Sequence, residues 1–96
     1  MTAAASPPTT PVLPRGVRLH WDAVRKTNIL LGPERALMLD QIAHEILKRV
    51  DGAATEAEIC DDLAATFGAP LDQIAKDVDV FLADLADRRL LERRPG

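Results

Sequence analysis

Between Asn28 and Gly52 the chain reads NILLGPERALMLDQIAHEILKRVDG, and within this stretch the spacing of apolar residues changes from two to three and four. Period two belongs to a strand, while spacings of three and four belong to a helix. Thr27–Leu31 is a β-favouring run, with Ile29 and Leu31 on one face and Leu30 on the other. Gly32-Pro33-Glu34 supplies a turn, because glycine tolerates positive φ and proline presets a turn position. Ala36–Leu39 follows as a short strand. Asp40 can cap a helix by accepting from the free amides of its first turn. Ile42, Ala43, Ile46, Leu47 and Val50 then stripe one face of a helix over Gln41–Val50, with Gly52 available for the left-handed position past its end. Everything else in the chain must pair with this strand–turn–strand–helix unit or pack on it.

Upstream, Val17 to Asp22 alternates, with Val17, Leu19 and Trp21 on one side and Arg18, His20 and Asp22 on the other. It predicts a half-buried strand with Trp21 as its core anchor, turned by Ala23–Lys26 into the second strand. Short loops favour antiparallel neighbours, hence a three-stranded meander. Downstream, Thr55-Glu56-Ala57-Glu58 has the pattern of a capping box. It starts a helix that buries Ile59, Leu63, Ala64 and Phe67 and is broken by Gly68-Ala69-Pro70. A third helix runs from about Leu71 to about Arg88 on the stripe Leu71, Ile74, Ala75, Val78, Phe81, Leu82 and Leu85. Val80 lies on its opposite face, and Leu90 and Leu91 close the core. Trp21, Leu47, Phe67 and Leu82 read as structural. The predicted class is α+β, winged helix-turn-helix-like, a three-stranded antiparallel meander followed by three α-helices. Residues 1–14, with four of the seven prolines, read as a disordered N-terminal arm, 15–92 as the domain and 93–96 as a frayed C-terminus.

Ninety-six residues suit one domain, with an aliphatic core because Trp21, Phe67 and Phe81 are the only aromatics. One cysteine, Cys60, forbids an internal disulfide and fits a reducing compartment. With neither a signal-peptide pattern nor a bilayer-spanning run, the expected localisation is cytoplasmic, without membrane contact. The net charge of −3 conceals an uneven distribution. Residues 55–87 carry nine acids against Lys76 alone, and residues 88–96 carry four arginines against Glu92.

Reactive constellations are missing from the sequence. It has no phosphate loop, no Cys-x-x-Cys, no His-Glu-x-x-His and no nucleophilic triad, so neither catalysis, a metal nor a cofactor is expected. His20 and His44 read as solvated, and Cys60, beside the apolar Ile59, as a small packing residue. A winged-helix DNA-binding regulator is the alternative reading. Against it, the third helix carries Asp72, Asp77, Asp79, Asp84 and Asp87, all repelled by a polyanion, so no nucleic-acid partner is expected. A meander's free edge, by contrast, can accept an extended peptide as a further strand. The edge considered is Arg35–Leu39, with Leu37 among its exposed amides and Leu37, Leu39, Val78 and Phe81 as an apolar floor. Such an edge also permits a monomer or a strand-exchanged or edge-paired homodimer.

The succession Arg18-Leu19-His20-Trp21-Asp22, Ile29-Leu30-Leu31-Gly32-Pro33-Glu34, Leu39-Asp40 and Ile46-Leu47-Lys48-Arg49-Val50-Asp51-Gly52 resembles the PqqD family of pyrroloquinoline quinone biosynthesis. The resemblance spans roughly residues 15–92. It implies a recognition element for a ribosomally made precursor peptide: a non-catalytic peptide chaperone that binds PqqA and presents it to the radical SAM enzyme PqqE. It further implies that the peptide adds as a strand in the cleft between the third strand and the third helix. Carried to this chain, the site comprises Arg35, Ala36, Leu37, Met38 and Leu39, with Ile74, Asp77, Val78, Phe81 and Leu85 from the helix.

Overall fold

The protein was analysed as a computed structural model that describes residues 9–95. Residues 1–8 of the expected arm and Gly96 of the expected frayed end lie outside the described residues. In chain order the elements are β1 (Thr9–Val12), β2 (Arg18–Asp22), β3 (Thr27–Leu31), β4 (Ala36–Met38), α1 (Gln41–Leu47), α2 (Glu56–Phe67), α3 (Leu71–Asp87) and β5 (Glu92–Pro95).

Strands β2, β3 and β4 form the antiparallel meander in that order. Its turns are local in origin. The Asp22 carboxylate accepts from the amides of Val24 and Arg25 at 3.0 and 3.1 Å, and Lys26 closes the first turn with φ at 54°. In the second turn the Gly32 amide donates to the Arg35 carbonyl at 2.8 Å. A Cβ on Gly32 would lie 2.7 Å from Leu90 Cδ2, so the turn packs closely on the chain after α3 and a larger residue there would have to displace that leucine side chain. Leu30 stands opposite both Leu19 and Leu37. That row faces the helices, and Leu30 is fully buried. His20, Ile29 and Met38 form the row on the other face.

Two helix starts follow from a capping side chain, while α3 begins after Pro70 without one. The Asp40 carboxylate accepts from the Ala43 amide at 2.8 Å. Thr55 and Glu58 form the expected capping box, accepting from each other's amides at 3.2 and 2.9 Å. Gly68 ends α2 in the left-handed region at φ 63°. One helix is shorter than its stripe suggests. At Arg49 and Val50 the bonds tighten to three-residue spacing, onto the Ile46 and Leu47 carbonyls, so α1 stops before Lys48 and Gly52 falls in the following loop. The core between sheet and helices is aliphatic: Leu30, Leu39, Ile46, Leu47, Ile59, Leu63, Val78, Leu82, Leu85, Leu90 and Leu91. No helix among the described residues is long and apolar enough to cross a membrane.

Expectations about burial are corrected at Trp21, Phe67 and Leu71, and likewise at Ile42 and Ala75, which are exposed. Trp21 lies on the edge strand beside a turn and is 54% exposed, so it anchors no core. Phe67 and Leu71 occupy the last position of α2 and the first of α3, and both are exposed.

The ends of the described chain depart further from the sequence reading. Residues 9–12 and 92–95 are neither arm nor frayed end; they pair antiparallel, Thr9 opposite Pro95 and Val12 opposite Glu92. Side chains fasten this ribbon to the helices. Arg93 lies 3.0 Å from the Glu56 carboxylate of α2 and 2.8 Å from that of Asp79 of α3, while Thr9 donates its hydroxyl proton to Glu56. Within β1 the side chain of Pro11 is fully buried.

Candidate functional site

Strand β4 is the outer strand of the meander, bonded to β3 alone. Opposite residues of an antiparallel pair alternate between hydrogen-bonded and non-bonded, so one known bond fixes which amides point where. The Leu39 amide donates to the Asn28 carbonyl at 2.9 Å, and Arg35 accepts from Gly32. By this parity Arg35, Leu37 and Leu39 direct their backbone groups inward to β3. The free edge therefore presents the N–H and C=O of Ala36 and Met38. Leu37, expected among the exposed amides, is instead bonded to its opposite residue Leu30. Both outward residues are exposed, Met38 to 69%.

Beside this edge lies an open cleft of about 280 Å³ between β4, α1 and α3. Strand β4 and its extension contribute Leu37, Met38 and Leu39. Helix α1 contributes Ile42, Ala43 and Ile46, and α3 with its C-cap residue Arg88 contributes Asp77, Phe81, Asp84, Leu85 and that arginine. On α3 these residues follow spacings of three and four, one stripe round from the core-facing Val78, Leu82 and Leu85, with Leu85 shared. Phe81 is half-buried and packs on the core with one side. Across Phe81 a second hollow, about 560 Å³, adjoins Gln73, Lys76 and Val80, whose side chain is 64% exposed.

Of the ten residues named from sequence, Leu37, Met38, Leu39, Asp77, Phe81 and Leu85 come together in this cleft. Ala36 is at its backbone edge and Arg35 at its end. Two do not reach it. Val78 is 2% exposed and turned into the core, and Ile74 packs against the core two turns before Phe81, past the end of a strand only three residues long. Sequence reasoning missed Ile42, Asp84 and Arg88. Ile42 was hidden inside an apparent core stripe, yet it is 50% exposed at the cleft. Asp84 and Arg88 stand three and seven residues after Phe81, a signal that helical spacing carried.

The charged side chains of the cleft are paired locally along α3. Asp84 pairs with Arg88 at 3.2 Å, and Asp77 accepts from the Gln73 side-chain amide at 3.1 Å. His20 is exposed on the outer face of the sheet. Cys60 is 5% exposed; burial pushes its thiol up, and the carboxylates of Glu56, Asp61 and Asp79 push it further, the opposite of nucleophile activation. Among the described residues no three His, Cys, Asp or Glu side chains converge as metal ligands would.

Residues 27–91 match the family described as coenzyme PQQ synthesis protein D (PqqD). A PqqA binding protein of Rhizobium meliloti is 48% identical over 80 residues, 83% of this chain and 82% of that protein. The solution NMR structure of the PqqD truncation of Methylobacterium extorquens PqqCD, described as a functional and stand-alone recognition element for ribosomally synthesized and post-translationally modified peptides, superposes with a TM-score of 0.75. That match has 46% identity and covers 85% of this chain and 87% of the other. The crystal structure of PqqD from Xanthomonas campestris superposes with a TM-score of 0.59 at 37% identity, covering 96% and 98%.

Proposed function

The chain belongs to the PqqD family, and we propose that it is a non-catalytic carrier that binds the precursor peptide PqqA by strand addition to β4 and presents it to the radical SAM enzyme PqqE. One observation carries the reading: two outward backbone positions, Ala36 and Met38, beside an apolar cleft with a half-buried phenylalanine on its far wall. Four backbone bonds to those residues hold the peptide, and the cleft selects a side chain. The relative that is 48% identical is named for binding PqqA, and this chain covers 82% of it. A peptide held at one edge leaves the rest of its length free for an enzyme.

The DNA-binding alternative is disfavoured by charge, since α3 exposes Asp72, Asp77, Asp79, Asp84 and Asp87 to any duplex it would enter. The test is a pair of amide chemical-shift titrations, one with PqqA and one with duplex DNA. PqqA should move resonances of Arg35–Leu39, Ile42 and 77–88, and DNA should move none. Shifts clustered on the exposed face of α2, or a response to DNA alone, would overturn the reading. For presentation, cross-linking of PqqE to this chain should strengthen when PqqA is present.

A further inference from the structure

A third hollow, of about 250 Å³, continues the cleft past Arg88 and is lined by Pro33, Glu34, Arg35, Arg88, Arg89 and Leu90. It gathers three guanidinium groups against one carboxylate, Glu34. Among the described residues Arg35 and Arg89 make no ion pair, while Arg88 pairs with Asp84. Part of this charge has a plain cause, because cations near the C-terminus of α3 complement its dipole. That accounts for Arg88 and Arg89 but not for Arg35, which belongs to the β3–β4 turn. Arg89 moreover occupies the left-handed position after α3, at φ 62°, where glycine or asparagine is usual. The sequence tolerates the steric cost of a β-carbon there.

The register of β4 ties this hollow to the bound strand. Arg35, Leu37 and Leu39 share the face turned to the helices, and their backbone groups point inward. In an added strand, residues opposite Ala36 and Met38 exchange backbone bonds, while those opposite Leu37 and Arg35 form close side-chain pairs. The first of these projects into the apolar cleft; the second, two residues along, meets the arginines. We infer, building on the strand-addition reading, that the Arg35–Arg88–Arg89 hollow binds an acidic side chain of the peptide two positions from its apolar anchor. The pattern also reports chain direction. Antiparallel addition reads apolar-x-acid from N- to C-terminus, and parallel addition reads acid-x-apolar.

The experiment measures affinity of labelled PqqA for the wild type, Arg35→Glu and Arg89→Glu, against PqqA variants with each acid changed in turn to its amide. Both arginines are exposed, so the variants should fold, checked by circular dichroism. Arg35→Glu should weaken binding about tenfold, by losing one cross-strand attraction and gaining a repulsion. One acid-to-amide peptide should lose affinity for the wild type and none for Arg35→Glu, and that acid should lie two positions from an apolar residue. Wild-type binding that is indifferent to Arg35→Glu and to every acid overturns this inference and leaves strand addition standing. Absence of wild-type binding overturns both.

Discussion

Prolines at two adjacent positions of β4 should separate binding from folding. Proline removes one N–H. At Met38 that N–H points outward and bonds nothing within the described chain, and Leu37 before it is already extended, as a residue preceding proline must be. Met38→Pro should therefore fold with near wild-type stability. In the complex it deletes one of four backbone bonds and strands a peptide carbonyl. A net bond contributes about 1 kcal/mol and an unsatisfied partner costs about 1–3 kcal/mol, so a loss of about 2 kcal/mol, near thirtyfold in Kd, is expected. Leu37→Pro behaves oppositely. Its N–H serves the carbonyl of fully buried Leu30, and its side chain packs against the core. That change should remove about 3 kcal/mol of stability, lowering Tm on the order of 15 °C for a domain this small. Anisotropy of labelled PqqA gives the first quantity and thermal melts followed by circular dichroism give the second. Met38→Ala controls for the lost side chain. Wild-type affinity in a folded Met38→Pro would refute strand addition at β4, and an unaltered melt for Leu37→Pro would refute the assigned ladder parity.

Four other outcomes are expected. Val78→Ala should lower stability by about 2 kcal/mol through a core cavity and leave the Kd of the folded protein unchanged. Phe81→Ala should weaken PqqA binding about tenfold, and equal Kd values for the two variants would contradict their placement. A thiol reagent should label Cys60 slowly in native buffer and faster only as denaturant unfolds the chain; rapid native labelling would contradict its burial. Acid should destabilise the fold through Asp51 and Glu45. The Asp51 carboxyl is lowered by the amides of Ala54 and Ala53, and that of Glu45 by bonds from Arg49 and then Lys48. Their stabilisation is complete above the ordinary values, 3.8 and 4.5, and is lost as pH falls through the lower folded ones. An acid melt of Asp51→Ala should have a shallower limb than the wild type, and an identical limb would count against this cause.

The meander, the caps and the three helices were legible because each is written locally: alternation in β2, the Asp40 cap, the Thr55–Glu58 box and Gly68. Position within a finished sheet is not local. Trp21 has the pattern of a core residue, and only its place on an edge strand beside a turn leaves it exposed. Likewise the helical stripe of α3 could not say which residues face the core and which face the cleft, so Val78 and Phe81 looked equivalent. The β1–β5 ribbon was the least legible part. TTPV and ERRP show no clean alternation and contain prolines, and what holds them is Arg93 reaching Glu56 and Asp79 on helices the pattern does not connect to them.

That ribbon also bears on the order of assembly. Every turn of the meander joins neighbours within a few residues, whereas β1 meets β5 only after the whole described core has been threaded between them. Closing so large a loop costs chain entropy before any contact returns it, so the ribbon is the last element to form and the first to open. Four residues a side, fastened by Arg93 to Glu56 and Asp79, make it a separate cooperative unit in native-state hydrogen exchange. Its amides should exchange through local opening, at rates set by salt and insensitive to core substitutions such as Leu82→Ala, while those of β3 wait for global unfolding.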